Sequence, residues 1–213
     1  MKKHLTELVF ILDKSGSMSG LESDTVGGYN AMLKKQRTGE GDVNVTTVLF
    51  SNRAERICTR ENIGKVPLMT EADYQVGGCT ALLDAVGESI QYMKNVQKYA
   101  KADERADKVL FIITTDGYEN ASREYDYDKV RKMIEAQKKE DWEFLFLGAN
   151  IDAISTAARF GIQSSHATNY VADEQGTQLN YEAMNKAVTC ARCAQPMAGW
   201  KAEVEADFQK RKR

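Results

Sequence analysis

The sequence predicts an α/β fold built on an open, mostly parallel sheet, and its apolar runs support this prediction. Residues 8–12 and 109–113 are uninterrupted apolar runs, which are typical of central parallel strands buried on both faces. Residues 43–50 have a strand pattern that is followed, after only two residues, by another strand at 53–59. Because this connection is too short for a parallel crossover, residues 53–59 should pair antiparallel at one edge of the sheet.

Periodicity, capping residues and turn residues predict the remaining elements. Residues 63–75 are expected to be irregular, and residues 118–128 to form a long exposed loop. Further strands are expected at residues 144–147 and, more weakly, at 165–171. Helices are expected at residues 23–36 (capped by Ser23 and Asp24), 80–100, 129–139, 151–160 and 174–193.

The length of 213 residues suits one hydrophobic core, so residues 1–195 are predicted to form a single domain. Pro196 ends the last long helix. Residues 196–213 are then expected to form a basic tail, either flexible or helical through Phe208. Its last four residues are all Lys or Arg, and we expect them to be solvated and mobile.

Composition excludes several classes of protein. A net charge of -2 argues against a general nucleic-acid binder, which needs a basic face. No segment approaches the roughly 18 uncharged apolar residues of a membrane helix, and Glu7 and Asp13 interrupt the short run that otherwise resembles a secretory signal. The 4 cysteines are too few and too irregularly spaced for a disulfide framework. We therefore expect a cytoplasmic protein that contacts neither membrane nor nucleic acid.

Oxygen-bearing side chains follow both buried strands and precede one predicted helix. Asp13, Ser15 and Ser17 come after the first apolar run, Asp116 comes after the second, and Thr80 follows two glycines at a helix start. Strand ends and helix N-termini converge at the carboxyl edge of an open α/β sheet, where ligands bind. Hydroxyls with few carboxylates suit Mg²⁺ or Mn²⁺ better than zinc. We call these five residues the strand-end cluster.

Three segments that contain the cluster resemble the metal-ion-dependent adhesion site (MIDAS) of von Willebrand factor A (vWA) domains, in their bacterial, stand-alone form. They are Asp-Lys-Ser-Gly-Ser-Met at 13–18, Gly-Gly-Cys-Thr at 77–80 and Thr-Asp-Gly at 115–117. Each alone is a weak signal, but all three in this order are far more specific. The resemblance covers the chain from Lys3 to about Cys193. Family members often have glycine or another small residue where this chain has Cys79.

The resemblance implies a doubly wound, Rossmann-like sheet with helices on both faces, in which the strands before Asp13 and Asp116 are neighbours. By the same resemblance Ser15 and Ser17 would contact the metal directly. Thr80 would contact it directly or through water, and Asp13 and Asp116 mostly through water and hydrogen bonds.

The implied function is a non-enzymatic, Mg²⁺- or Mn²⁺-dependent module that binds a carboxylate of a partner protein. Bacterial relatives often act with ATPase or chaperone-like partners, so the resemblance suggests a partner of that kind. We expect aromatic and polar residues around the site to select the partner, since aromatic side chains are good interface anchors. These rim residues are Met18, Ser19, Leu21, Tyr74, Gln75, Tyr118, Glu119, Asn120, Arg123, Tyr125 and Tyr127.

Two enzyme classes are alternatives. Asp13 beside Mg²⁺ could be the nucleophile of a phosphatase or phosphotransferase. Haloacid-dehalogenase-like enzymes of that kind carry a second aspartate two residues later, where this chain has Ser15. A nucleotide-binding enzyme has little support, because neither Gly-x-x-x-x-Gly-Lys-Ser/Thr nor Gly-x-Gly-x-x-Gly is present.

Purely structural roles are the simplest alternatives. The serines and Thr80 are also the residue types that cap turns and helices. Cys190 and Cys193 are expected on one packed face of a helix, since a single Cys-x-x-Cys pair inside a helix lacks a metal or redox context. His4 and His166 have no triad-like neighbour in the sequence, so surface or structural roles are favoured for both.

Overall fold

A computed structural model describes residues 4–211 and contains the expected alternation of strands and helices. Its strands are β1 (Leu5–Asp13), β2 (Asp42–Phe50), β3 (Ala54–Asn62), β4 (Lys108–Thr115), β5 (Glu143–Gly148) and β6 (Ala167–Asn169). Its α-helices are α1 (Glu22–Arg37), α2 (Leu82–Tyr99), α3 (Tyr127–Lys138), α4 (Ala153–Arg159), α5 (Glu174–Arg192) and α6 (Ala202–Arg211). Short 3-10 helices lie at Gly16–Met18 and Ser164–His166.

The strands form one sheet in the order β3-β2-β1-β4-β5-β6. Only β3 is antiparallel to its neighbour, and it lies at an edge of the sheet. β1 pairs with both β2 and β4, so the chain winds outward from the centre in two directions. The prediction of a doubly wound, mostly parallel sheet with one antiparallel edge is therefore confirmed. The crevice between the carboxyl ends of β1 and β4 is the switch point at which such folds bind ligands.

Alternate residues of β1 belong to two separate cores, as expected for a strand covered on both faces. Leu8, Phe10 and Leu12 pack in the layer with α1, α5 and α6. Val9 and Ile11 pack in the opposite layer with α2, α3 and α4. β1 is thus held rigidly from both sides, and Asp13 leaves it at a fixed position.

Some predicted boundaries were wrong. α1 begins at Glu22, and no side chain caps it, so Ser23 and Asp24 lie inside its first turn rather than at its cap. α3 begins two residues earlier than expected, because Asp126 accepts a hydrogen bond of 2.7 Å from the backbone N of Lys129. β3 extends to Asn62 through an irregular register with β2. Residues 63–76 contain turns but neither helix nor strand, as predicted for 63–75.

The C-terminal segment is a packed helix over residues 202–211. Trp200 and Val204 are 3% and 0% exposed and belong to the same core as α1 and α5. The indole Nε1 of Trp200 donates a hydrogen bond of 3.0 Å to the backbone O of Ser165. A mobile end was the wrong prediction for Arg211, which pairs with Asp173 and Asp207. Lys212 and Arg213 lie outside the described residues, and a domain boundary at residue 195 stays a prediction.

Across residues 4–211, none of the helices combines the length and the apolar character needed to cross a membrane.

Candidate metal centre

Three loops meet at the carboxyl ends of β1 and β4 and are joined there by their backbones. Gly16 N donates to Gly78 O over 3.0 Å, and Gly77 N donates to Lys14 O over 2.9 Å. The loop after β4 joins them, since Asn120 N donates to Thr80 O over 3.1 Å. The segments before and after these bonds carry all members of the strand-end cluster, so residues that are far apart in the sequence share one edge of the sheet.

Asp13 is 1% exposed, and both of its carboxylate oxygens are held by the protein. Oδ1 accepts 2.7 Å from the backbone N of Ser15, and Oδ2 accepts 2.6 Å from Oγ1 of Thr115. Burial raises the pKa of Asp13, the hydrogen bonds oppose that change, and the nearby charge of Asp116 raises the pKa further. A cation close to this carboxylate would favour its ionised form.

The hydroxyls of Ser15 and Ser17 link the first loop to Asp116. Their Oγ atoms lie 3.2 Å apart, and Ser17 Oγ donates a hydrogen bond of 2.5 Å to Asp116 Oδ1. Ser15 is buried, whereas Ser17 is exposed at the mouth of the site. The pair therefore extends from the interior to the surface.

Asp116 has one oxygen without a partner. It is 2% exposed, and its Oδ2 atom is buried and accepts no hydrogen bond from any residue between 4 and 211. Burial is the main cause of its raised pKa, which the hydrogen bond from Ser17 partly offsets. Buried polar atoms are normally satisfied, so this oxygen is a candidate ligand atom.

Thr80 faces the same small space as Ser17. Gly117 faces both hydroxyls, because a side-chain carbon at this position would lie 3.4 Å from both Ser17 Oγ and Thr80 Oγ1. The side chain of Asn120 fixes the position of Thr80, because its Oδ1 accepts 2.8 Å from the backbone N of Thr80. α2 begins at Leu82, two residues after Thr80, so this hydroxyl lies just ahead of a helix N-terminus.

The residues present fit a divalent cation held by oxygen. Hydroxyl oxygens of Ser15, Ser17 and Thr80 lie beside two carboxylates, of which Asp116 offers a free oxygen. Within residues 4–211 no group of three or more His, Cys, Asp or Glu side chains could hold a metal. The candidate centre therefore depends on its hydroxyls as well as on its acids, which is a donor set for hard cations.

Several residues expected at the rim are instead buried. Met18 and Leu21 are 4% and 8% exposed, and Tyr74 is 1% exposed with its hydroxyl hydrogen-bonded to the backbone O of Asp13. Since a buried side chain cannot select a partner by contact, the prediction was wrong for these three residues.

Glu119 was also predicted at the rim, but it supports the start of α2. Its Oε2 atom accepts 2.8 Å from the backbone N of Leu83, and Oε1 accepts from the backbone N atoms of Ala121 and Ser122. A carboxylate at a helix N-terminus is favourable because it binds free N–H groups and faces the positive end of the helix dipole. Glu119 therefore shapes the loop that brings Asn120 to Thr80.

The two tyrosines at the end of this loop pack against helices. Tyr125 lies where Gly87 of α2 leaves room for its ring, and the Lys129 ammonium is 4.0 Å from the ring centroid. Tyr127 lies under Arg159, whose guanidinium carbon is 3.4 Å from the ring centroid. Ser19, Gln75, Tyr118 and Arg123 are exposed, and Tyr118 is 56% exposed.

Two residues that hold the loops and side chains of the site through hydrogen bonds were not predicted from the sequence. Thr115 holds Asp13 through its hydroxyl, and the only available signal was its place directly before Asp116 in the Thr-Asp-Gly segment. Asn52, in the β2–β3 turn, accepts 2.7 Å from the backbone N of Cys79 through its Oδ1 atom. No local pattern marks that contact, because it joins residues that are 27 positions apart.

Two cysteines near the end of α5 and one histidine lie at structural or surface positions. Cys190 is half-buried on α5, whereas Cys193 is exposed and directly follows that helix, so the prediction of one packed helix face was wrong for Cys193. Both are free thiols. His166 lies in a 3-10 helix with its Nδ1 atom 2.9 Å from Ser165 Oγ. None of these three residues belongs to the strand-end cluster.

No model of a known protein family matches this sequence, and no curated protein matches it. Solved structures do match. Proximal thread matrix protein 1 from the mussel byssus, with a zinc-occupied MIDAS motif, has a TM-score of 0.60 and 14% identity over 88% of this chain and 46% of that chain. The vWF domain of the type V pili tip protein Mfa5 from Porphyromonas gingivalis has a TM-score of 0.57 and 10% identity, covering 87% and 95%. Manganese-loaded TRAP protein from Plasmodium vivax has a TM-score of 0.57 and 14% identity, covering 84% and 73%.

The chain therefore has the fold of a vWA domain, as its sequence motifs predicted. It spans about half the length of the mussel proteins, with coverage of 46%. The similarity defines the fold, and the role of the site rests on the geometry of its residues.

Proposed function

We propose that this chain is a non-enzymatic, Mg²⁺- or Mn²⁺-dependent protein-binding module. The strand-end cluster, Asp13, Ser15, Ser17, Thr80 and Asp116, would hold the ion, and an aspartate or glutamate of a partner protein would bind to it. One observation carries the proposal. The buried Oδ2 of Asp116 has no hydrogen-bond partner among the described residues, and the same carboxylate accepts from Ser17, which is next to the hydroxyl of Ser15. Two solved structures of the same fold, in their metal-loaded forms, support it.

The hydrogen bonds of the cluster leave oxygen lone pairs available. Ser17 donates its proton to Asp116, so in its 3.2 Å contact with Ser15 it is the acceptor, and one lone pair is left to bind a cation. Ser15 N and the Thr115 hydroxyl hold the Asp13 carboxylate in one orientation. A hard cation bound with few charged ligands supplies an electrophilic site at which a partner carboxylate can replace water.

The contacts of Asp13 do not favour the phosphatase alternative. A nucleophilic carboxylate needs an accessible oxygen, whereas Asp13 is 1% exposed and both of its oxygens accept strong hydrogen bonds. The residue two positions later is Ser15, which provides neither a second carboxylate nor a general acid of the expected kind.

The surface around the site suggests how a partner is selected. Tyr118 and Arg123 are exposed on the loop after β4, and Ser19 and Gln75 are exposed on the two other loops. These four side chains would contact the residues that flank the partner's carboxylate. We further propose an ATPase or chaperone-like partner in the cytoplasm, without membrane or nucleic-acid binding, which rests on the family resemblance and on the net charge of -2.

A peptide array tests the proposal. The probes are peptides with one central Asp or Glu, each matched to a copy with Asn or Gln, applied in Mg²⁺ and again in chelator. Capture that needs both the carboxylate and the metal, and that Ser15→Ala with Ser17→Ala abolishes, supports the proposal. Capture that is unchanged in chelator contradicts it, as does turnover of a generic phosphate ester that Asp13→Asn abolishes.

A further inference from the structure

The irregular segment 63–76, which we call the strap, packs in the same layer as α1 and α5. Its side chains Ile63, Val66, Met69 and Tyr74 are buried, with exposures of 6%, 2%, 5% and 1%. All four belong to the core that includes Leu8, Phe10 and Leu12 of β1. A segment without regular secondary structure is therefore fixed by its packing.

Two polar residues of α1 hold the strap at three points. The amide of Asn30 donates 2.8 Å to Met69 O and accepts 2.8 Å from Met69 N, so it replaces a backbone partner in both directions. Arg37 donates to Ile63 O over 3.0 Å and also to Val66 O. These bonds satisfy backbone groups that neither a helix nor a sheet serves.

The strap ends at the candidate metal centre. The Tyr74 hydroxyl donates a hydrogen bond to the backbone O of Asp13, the last residue of β1. Farther along, Gly77 N donates to Lys14 O over 2.9 Å and Gly78 O accepts from Gly16 N over 3.0 Å. The strap and the glycines after it thus bond to the backbone of three of the residues from 13 to 16.

We propose that Tyr74 is a positioning residue of the metal centre. Its hydroxyl fixes the peptide group that follows Asp13, and this peptide starts the turn that carries Ser15 and Ser17. The inference rests on the proposed function, because it assigns Tyr74 a role in metal affinity. Residues that do not bind a metal themselves but hydrogen-bond to the groups around it orient the metal's ligands. The loss of such a residue typically lowers metal affinity about 10- to 100-fold.

The chain contains a matched control for Tyr74. Tyr29 is also a buried tyrosine of the same core, with 1% exposure, and its hydroxyl is 2.6 Å from Thr47 Oγ1 on β2. Each Tyr→Phe change removes one hydroxyl from this core and leaves the ring in place. Of these two hydroxyls, only that of Tyr74 binds the backbone of the turn that carries Ser15 and Ser17.

The experiment titrates Mn²⁺ into the full chain and measures free Mn²⁺ by electron paramagnetic resonance. We expect Tyr74→Phe to weaken Mn²⁺ binding by at least about 10-fold, and Tyr29→Phe to stay within about twofold of wild type. Thermal unfolding in chelator should show both variants folded, with similar losses of stability. A metal affinity that changes only in Tyr74→Phe is a result that loss of general stability cannot produce.

Other outcomes separate the two proposals. If wild type binds Mn²⁺ and Tyr74→Phe binds it equally well, the positioning role is wrong and the proposed function stands. The positioning role is also wrong if Tyr29→Phe loses as much affinity as Tyr74→Phe. If wild type binds no Mn²⁺, the proposed function itself fails.

A second variant covers the case in which Tyr74→Phe does not fold. Asn30→Ala releases the strap at Met69 without touching the site, and it should weaken Mn²⁺ binding through Tyr74 by a smaller factor. Unchanged affinity in Asn30→Ala would then contradict the role of the strap.

Discussion

The two ends of β1 treat a buried carboxylate in opposite ways. At the start, Glu7 is 0% exposed, and its Oε1 atom is 2.8 Å from a guanidinium nitrogen of Arg60 and 3.0 Å from the Asn44 amide. The other end of β1 carries Asp13, which lies near Asp116 at the end of the adjacent strand β4; the two side chains are 1% and 2% exposed. Within the described residues no Lys, Arg or His pairs with either of them.

The two ends differ in whether a cationic side chain balances the buried carboxylate. They do not differ in hydrogen bonding, because each has one carboxylate oxygen without a partner among the described residues. Oε2 of Glu7 and Oδ2 of Asp116 are both buried, and neither has a hydrogen-bond partner in the part of the chain that the structure describes. Only Glu7 has its charge balanced by a side chain of the chain itself. Two uncompensated carboxylates on one edge are costly to bury, so this edge is suited to a cation from solution. We call the start of β1, where Arg60 balances Glu7, the closed end. The other end, where Asp13 lies near Asp116, is suited to an external ion, and we call it the open end.

The largest effect is expected at the closed end. Arg60→Met leaves Glu7 buried without a cation and should lower the free energy of unfolding by about 3 kcal/mol, in metal and in chelator alike. Urea unfolding monitored by circular dichroism measures this change. The double variant with Glu7→Gln should recover part of the loss. A loss below about 1 kcal/mol would mean that Arg60 does not balance Glu7.

The open end should respond to metal instead. Mn²⁺ at 100 times its Kd should add about 2.7 kcal/mol to the free energy of unfolding, because it binds only the folded chain. Ser15→Ala with Ser17→Ala should remove this increment and still fold, whereas Arg60→Met should keep the increment. If Mn²⁺ stabilised the serine variant as much as wild type, Ser15 and Ser17 would not be ligands of the ion.

Removing a charge at the open end should have little effect in chelator. Asp116→Asn takes away one of two uncompensated carboxylates, so the unfolding free energy should stay within about 1 kcal/mol of wild type or rise. The same variant should lose stabilisation by Mn²⁺. Chemical unfolding with and without the metal measures both quantities. A large loss in chelator would show that the charge at residue 116 is already balanced inside the protein.

The smallest effect is expected at Lys14, which lies between Asp13 and Ser15 in the sequence. Its ammonium is 2.9 Å from Glu55, whose side chain is 64% exposed, rather than near Asp13. Such pairs contribute at most about 1 kcal/mol, so Lys14→Met should change stability by less than that and leave Mn²⁺ affinity within about twofold. A large rise in metal affinity would indicate that Lys14 competes with the ion.

The sequence predicted the sheet and the convergence of the cluster because both depend on local patterns. Uninterrupted apolar runs identify β1 and β4, and their carboxyl ends must meet at the edge of a parallel sheet. The position of Tyr74 could not be predicted, since a polar-tipped aromatic in a loop suits a rim as well as a core. Its burial depends on contacts with α1 and β1, which are distant in the sequence.

The roles of loop carboxylates were equally hidden. Glu119 reaches Leu83 across 36 positions, so its function as a helix cap appears only once α2 and the loop after β4 are adjacent. The packing of the chain's end was hidden for a related reason. The helical alternative for this segment agrees with α6, but the charges of its last residues suggested solvation, whereas Trp200 and Val204 fix the segment to the core.

Anomalous X-ray scattering from crystals soaked in Mn²⁺ would show whether the strand-end cluster holds a metal ion. We expect one strong anomalous peak at the carboxyl ends of β1 and β4, bounded by Ser15, Ser17 and Thr80. This peak should be absent from crystals of the Ser15→Ala, Ser17→Ala variant. No peak at this edge of the sheet, or a peak that persists in the variant, would contradict the proposed metal site.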